Sequence, residues 1–536
     1  MKAISSIFQL LLLCAATSYA GVLDEMSLDR WAKLREAERY QLNIAEKYYR
    51  EQNWKVAQAE YEKFMSLYEM SEGAPYAQLK WSHCLVQLRK VNTAIKDGYQ
   101  SVIDYWPESP EAIASSYMIA HCYKTTGDTK PAKKAYQAVL SSHPKHLVAV
   151  LSRVDLIDIA RVEGDASRRV ALWKELTYET DRKGEAARHC VEASRDLAVH
   201  SFQSGAFAEG LKSLATTYNP QQLPAQVMVL VSNPLSQLTS QSDSKPKGEK
   251  VADDTIAWLR TQMPEDLKDE AQKALAKARW FYIADVHIAA RRPEKVPEVY
   301  DQMQKLLGAD DAILGRLAAW YKSQNRRDEA RAAFNRFVNQ VEGQSQIALM
   351  FREEKKFDQA VGIYQNLIDV DKDRAVQWQS TIATTYREAS KPDQAVAIYQ
   401  QLLVDDAKNA NGWQWQIALI YRDFGRLREA VGAFRLCTNF PEAYQQMAWC
   451  HRGLKEYKEA ILLYNQILAT HPASASWALL QIGYTHEQAG EKDSAIKMLQ
   501  QVCNRYPKTP QASEAHAHLN DKYKITTTLG GATADQ

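Results

Sequence analysis

Glycine and proline are scarce in this chain, 21 and 17 among 536 residues. A β architecture full of tight turns uses many of both, so their shortage points to long helices joined by short connections. A charge imbalance is missing as well. The 67 lysines and arginines are matched by 65 aspartates and glutamates, for a formal net charge of +2, and bulk electrostatics give no case for a nucleic-acid binder. No stretch approaches the roughly 18 uninterrupted apolar residues of a spanning helix, so no transmembrane segment is expected. A glycine-rich phosphate loop, a nucleophile elbow and an HExxH pair are also lacking. His516 and His518 are two residues apart and diverge on a helix, a poor metal pair. His143 and His146 flank Pro144 at a turn. No catalytic, cofactor-binding or metal-binding residue is assigned, and the chain is not expected to be an enzyme.

What is present begins with a leader. Lys2 gives a positive start, Ile7 to Ala16 an apolar core, and Ser18-Tyr19-Ala20 a small-x-small cleavage site, the pattern of a signal peptide over residues 1–20. Cleavage after Ala20 would release a secreted or periplasmic chain starting at Gly21. Cys14 invites a lipoprotein reading, but Leu13 stands where lipid-modified precursors carry a small residue. Cys84, Cys122, Cys190, Cys437, Cys450 and Cys503 then remain, an even set in an oxidising compartment. Cys84, Cys122 and Cys450 share one place in the period described next, on helices too far apart to be bridged. Free, mostly buried thiols are expected.

A period near 34 residues runs along the chain. Numbered so that a recurring small residue is position 20, the C-terminal half reads Val296, Ala330, Ala360, Ala395, Ala430, Ala460 and Ala495, in steps of 34, 30, 35, 35, 30 and 35. Position 8 is Ala284, Ala318, Ala348, Ala383, Ala418, Ala448 and Gly483, small every time. Position 24 is Tyr300, Phe334, Tyr364, Tyr399, Phe434, Tyr464 and Leu499, large every time. The pattern resembles that of the tetratricopeptide repeat, which implies a helical hairpin, an A helix and a B helix, whose small residues permit close approach while the large ones fill the space between hairpins. The N-terminal half repeats less cleanly. Ala57, Ala94 and Ala132 are 37 and 38 apart, and the step continues to Val170 and Ala208 with degenerate flanks. The expected organisation is an N-terminal array over 21–220, a linker or insertion over 221–254, a C-terminal array over 255–524 and a disordered tail over 525–536. The linker is read from Pro220, Pro224, Pro234 and Pro246 and from the polar run Thr239 to Lys250.

These matches resemble the tetratricopeptide repeat (TPR) superfamily. Two stretches are more particular: Tyr105-Trp106-Pro107-Glu108-Ser109-Pro110-Glu111-Ala112, leading into Ala120-His121-Cys122-Tyr123, and the closing Cys503-Asn504-Arg505-Tyr506-Pro507-Lys508-Thr509-Pro510-Gln511-Ala512. They are similar to bacterial periplasmic TPR proteins of the Tol–Pal-associated cell-division-coordinator type and of the outer-membrane-assembly type. The resemblance implies an all-α, TPR-like α-solenoid of antiparallel helix pairs in two arrays. It also implies a non-enzymatic cell-envelope scaffold that binds a protein or extended peptide on the concave face lined by the A helices.

On that face, position 12 reads Ile288, Lys322, Arg352, Arg387, Arg422, Arg452 and Glu487, with Trp415, Trp449, Trp477 and Tyr484 at neighbouring stripe positions. Five successive cations beside aromatics make a candidate groove for an acidic peptide. Glu353, Glu388 and Asp423 follow three of the arginines, however, and an acid of the next repeat could neutralise the ladder. Both readings stand on the sequence. The alternative functions are a structural subunit of a larger envelope complex, working through the B helices, and a non-catalytic part of a glycan-processing system. The latter is disfavoured because the repeats continue to about Lys524, which leaves no room for a catalytic domain.

Overall fold

The computed structural model describes residue 23 and residues 25–529. The expected signal peptide, and the end of the expected tail beyond residue 529, lie outside the described residues. Among the described residues every regular element is helical. The chain divides into two compact units, Met1–Val299 and Tyr300–Gln536.

The second unit follows the period closely. Its hairpins pair Asp311–Ser323 with Arg327–Phe334, Gln340–Glu353 with Phe357–Val370, Ala375–Glu388 with Pro392–Asp405, Ala410–Asp423 with Leu427–Arg435, Glu442–Gly453 with Tyr457–Thr470, and Ala475–Gln488 with Lys492–Arg505. A last helix, Pro510–Tyr523, packs on the final hairpin without a B helix of its own, and residues 524–529 carry no regular structure. The alanines at positions 8 and 20 are wholly buried where each A helix crosses its B helix, and the rings at position 24 are buried beside them. Gly483 stands at the same crossing, where a Cβ would meet Leu499 Cδ2 at 3.0 Å. A larger residue there would push the two helices apart.

The two 30-residue steps have a definite structural form. Their B helices, Arg327–Phe334 and Leu427–Arg435, have eight and nine residues, whereas the other complete hairpins of this unit have 14. Both shortened hairpins close alike. Asp311 accepts the N–H groups of Val338 (2.5 Å) and Asn339 (2.9 Å). Asn411, one hundred residues on, accepts the N–H of Thr438 (2.7 Å) and donates to Asn439 Oδ1 (2.6 Å). Both residues occupy position 1 of their hairpins, so the block from Asp311 and the block from Asn411 repeat each other in step lengths and in loop chemistry.

The first unit shows where the N-terminal period slips. Residues 94–99 form one π-helical turn within the second hairpin's B helix. The extra residue puts Gly98 at position 24, against Ser82, and rotates Tyr99 into the buried aromatic seat. A second π turn, Glu175–Glu179, ends the next irregular B helix.

The stretch expected as a linker is a helical hairpin, Leu223–Ser240 with Lys245–Thr261. Its prolines misled the sequence reading for an identifiable reason. Pro224 and Pro246 sit in first turns, where the missing N–H is not needed, and only Pro234 lies inside a helix. Val227, Met228, Val231, Leu235 and Leu238 line its buried face at helical spacing, and Gly248 lets the second helix pass close to Leu238 and Thr239.

Candidate functional site

Position 12 falls in the last turn of each A helix, on the face that meets the next A helix. The carboxylates at position 13 of the following hairpin reach back to it. Lys322 Nζ lies 3.0 Å from Glu353 Oε2. Arg352 grips Glu388 with two bonds, 2.6 and 3.2 Å, and Arg387 pairs with Asp423. Each pair links one repeat to the next. Of the two readings the sequence left open, the geometry realises internal pairing for these three cations.

The pattern changes at Gly453, which leaves position 13 of the next hairpin without a side chain. Arg422 therefore turns to its own neighbour Asp423 (2.7 Å), already shared with Arg387, and to Gln446 Oε1 (2.7 Å). Its guanidinium lies 5.9 Å from the centroid of Trp449. Arg452 donates to the carboxamide oxygens of Gln488 (2.9 Å) and Gln481 (2.8 Å). Among the described residues it makes no ion pair. Glu487 then reverses the sign at position 12. Burial would raise its carboxyl, but bonds from Tyr523, His518 (2.9 Å) and Lys522 (3.2 Å) hold it below the usual range. Lys322, Arg352 and Arg387 thus form a ladder closed from repeat to repeat, which ends at Arg422, sharing Asp423 with Arg387, and at Arg452, which has no carboxylate.

The aromatics separate in the same way. Trp449 is 51% exposed and lies beside the open cations. Trp415 packs edge-on against Phe434 and Trp477 against Tyr464, so both belong to the core between hairpins. Tyr484 is held further along by Glu514 (2.8 Å) and the His518 ring. The geometry therefore brings Arg422, Trp449 and Arg452 together and assigns Trp415 and Trp477 to packing.

Two further arrangements escaped the sequence reading. Positions 11 and 16 pair an aromatic ring with a cation in Tyr321–Arg326, Phe351–Lys356, Tyr386–Lys391 and Tyr421–Arg426, at 4.7 to 5.9 Å. In the last two hairpins the same positions are His451–Glu456 (2.8 Å) and His486–Glu491 (2.7 Å). In the first unit, Asp155 collects Tyr117 (2.8 Å), Tyr136 (2.7 Å), His121 (3.1 Å) and Lys124 (2.6 Å). Burial would push this carboxyl up, but the bonds and charges of His121 and Lys124 hold it well below the carboxylate range. Its partners are all fixed in place, so it is a structural node. Among the described residues, no group of three histidines, cysteines or acids is placed to hold a metal ion, and no helix is long and apolar enough to cross a membrane.

Comparison with known proteins bears on the repeat itself. Profiles described as tetratricopeptide repeat match residues 113–146, 316–341, 380–444, 442–474 and 477–509, so the chain carries tetratricopeptide repeats in both units. Solved structures similar to it include MamA protein, at 20% identity over 34% of this chain and 96% of that one, with a TM-score of 0.25. The Cut9–Hcn1 hetero-tetramer of APC/C is 14% identical over 92% of this chain and 99% of that one, with a TM-score of 0.25. Yeast Tom70 is 13% identical over 84% and 98%, with a TM-score of 0.27. No curated protein matches the sequence.

Proposed function

We propose that this array of tetratricopeptide repeats is a non-enzymatic scaffold that binds an extended, acidic protein segment at the open end of the second unit's ladder, around Arg422, Trp449 and Arg452. The observation that carries this reading is the contrast along one stripe. Three cations are matched by carboxylates of the next repeat, whereas Arg452 meets only neutral partners, the carboxamides of Gln481 and Gln488 and the Tyr464 hydroxyl. A guanidinium held by neutral partners keeps its charge for an incoming carboxylate, and the exposed indole beside it supplies apolar area. The leader pattern of residues 1–20 and the junctions Trp106-Pro107-Glu108-Ser109-Pro110 and Tyr506-Pro507-Lys508-Thr509-Pro510 support a place for this scaffold in a bacterial cell envelope.

The structural-subunit reading has its own observation. Val338, Val370, Val404 and Leu436 stand exposed at or just beyond the C-terminal ends of successive B helices, one apolar side chain per repeat that a partner could cover. One experiment separates the two. A photo-crosslinking residue is placed at position 449 or at position 404 in the native cell, and the crosslinked partners are identified. Crosslinks at 449 that disappear in Arg452→Glu, with Arg352→Gln unaffected, support the groove. Crosslinks confined to 404 sink it. Cell fractionation of the same strain tests the envelope assignment.

A further inference from the structure

The first unit has an occupant on its own A-helix side. Before the first hairpin, whose A helix is Glu36–Arg50 and B helix Trp54–Leu67, a short helix Leu28–Lys33 is capped by Ser27. It belongs to no hairpin. Its Arg30 reaches 81 residues along the chain to clasp Glu111 with two bonds, 2.6 and 3.2 Å, and donates to the Glu72 carbonyl at 3.2 Å. Glu111 lies in the first turn of the third hairpin's A helix, Pro110–Thr125, and Glu72 just precedes the second's, Ala74–Gln87. Met26 and Trp31 pack on the core of the first hairpin, around Leu42, Tyr61 and Phe64. Leu23 packs against the cores of the second and third, around Leu79 and Tyr99 and around Tyr117 and Tyr136. Residue 23 and residues 25–33 therefore touch all three hairpins.

We propose that Leu23 and residues 25–33 are an intramolecular ligand of the first unit's A-helix side, and that this side, once vacated, binds a peptide segment of the same chemistry, an apolar side chain followed by a basic one. Glu111 dictates the basic residue. Its side chain is only 4% exposed, and a buried carboxylate left without a cation is strongly unfavourable. A segment that displaces Arg30 must therefore bring a cation to the same place. The Leu23 seat, between two apolar cores, asks for an apolar residue. The occupant is exchangeable because the short helix buries no residue of its own completely, so the Arg30 clasp and a few apolar contacts hold it. The two units thus select opposite charge, and this site does not depend on the reading of Arg422 and Arg452.

The test uses the full chain, its Arg30→Glu and Glu111→Arg variants and the double swap. Hydrogen exchange of residues 23–33 is expected to rise at least tenfold in each single variant and to return toward the parent in the double. A fluorescein-labelled peptide of residues 21–33 is then added. It is expected to bind the Arg30→Glu variant at least tenfold more tightly than the parent, and to lose that binding when Glu111→Gln is added to Arg30→Glu. Exchange unchanged in the single variants overturns the proposal. So does peptide binding that is equal in parent and Arg30→Glu, or absent from both while helicity is intact. Glu111→Gln replaces Glu111→Arg if the reversal lowers helicity.

Discussion

At the scale of single residues, the turn between A and B helices has one demand. Position 15 has a positive φ in every hairpin of the second unit: Asn325 (58°), Lys355 (58°), Ser390 (57°), Gly425 (74°), Lys455 (61°) and Gly490 (83°). Glycine meets this demand without strain and lysine does not. Lys455→Gly is expected to raise stability by roughly 0.5–1 kcal/mol and Gly425→Ala to lower it by about 1 kcal/mol, read from urea unfolding midpoints. The small residues at positions 8 and 20 were legible in the sequence because packing restricts them to one size. Position 15 was not, because a backbone angle leaves no mark when lysine and serine tolerate it.

Asp155 poses the other residue-scale case. Its folded carboxyl is held below the unfolded value near 3.9, so its stabilising effect is fully present above that value. It is lost as pH falls through about 4 toward the folded pKa. Asp155→Ala is expected to cost on the order of 3 kcal/mol at neutral pH, since Lys124 and two tyrosines lose their acceptor. In Asp155→Asn the decline in melting temperature below pH 4 should be shallower than in the parent. An unchanged acid slope in that variant would contradict the node.

At the scale of elements, loop chemistry decides how short a hairpin can be. The two eight- and nine-residue B helices end early because Asp311 and Asn411 satisfy the backbone that follows them. Asp311→Ala and Asn411→Ala should each destabilise by about 1–2 kcal/mol, and Asp311→Asn by less. Calorimetry of the three variants checks the ranking. The sequence showed the two short steps but not their closure, which joins residues 27 and 28 apart in chain order. It missed the hairpin at Leu223–Thr261 for a different reason. Proline reads as a breaker unless its place in the first turn is known, and that place depends on where the helix starts. Part of the irregularity of the N-terminal array is a π turn that moves Tyr99 a single residue out of register.

At the scale of the whole molecule, the six cysteines among the described residues are free, five of them buried, and burial pushes the Cys84 and Cys122 thiols up to about 12 and Cys450 to about 11. Labelling with an alkylating reagent is expected to be slow in the native protein. In unreduced protein unfolded by denaturant, six reactive thiols are expected if residues 1–20 have been removed and seven if Cys14 is retained; two or fewer would contradict free thiols. The candidate site was legible to the extent that the stripe of cations and the exposed Trp449 were found from spacing alone. Which cations are matched was hidden, because the answer turns on position 13 one repeat on, where Gly453 sends Arg422 back to its own neighbour Asp423 and Gln488 gives Arg452 a carboxamide in place of a carboxylate.

The ladder also has a direction. Lys322, Arg352 and Arg387 each reach toward the C-terminus for their acid. A chain severed between Arg352 and Glu388 would leave a cation on the upstream piece and an anion on the downstream one, at surfaces already shaped to each other. Such halves are matched for reassociation in one order only, so this scaffold carries within its stacking a rule for fragment complementation.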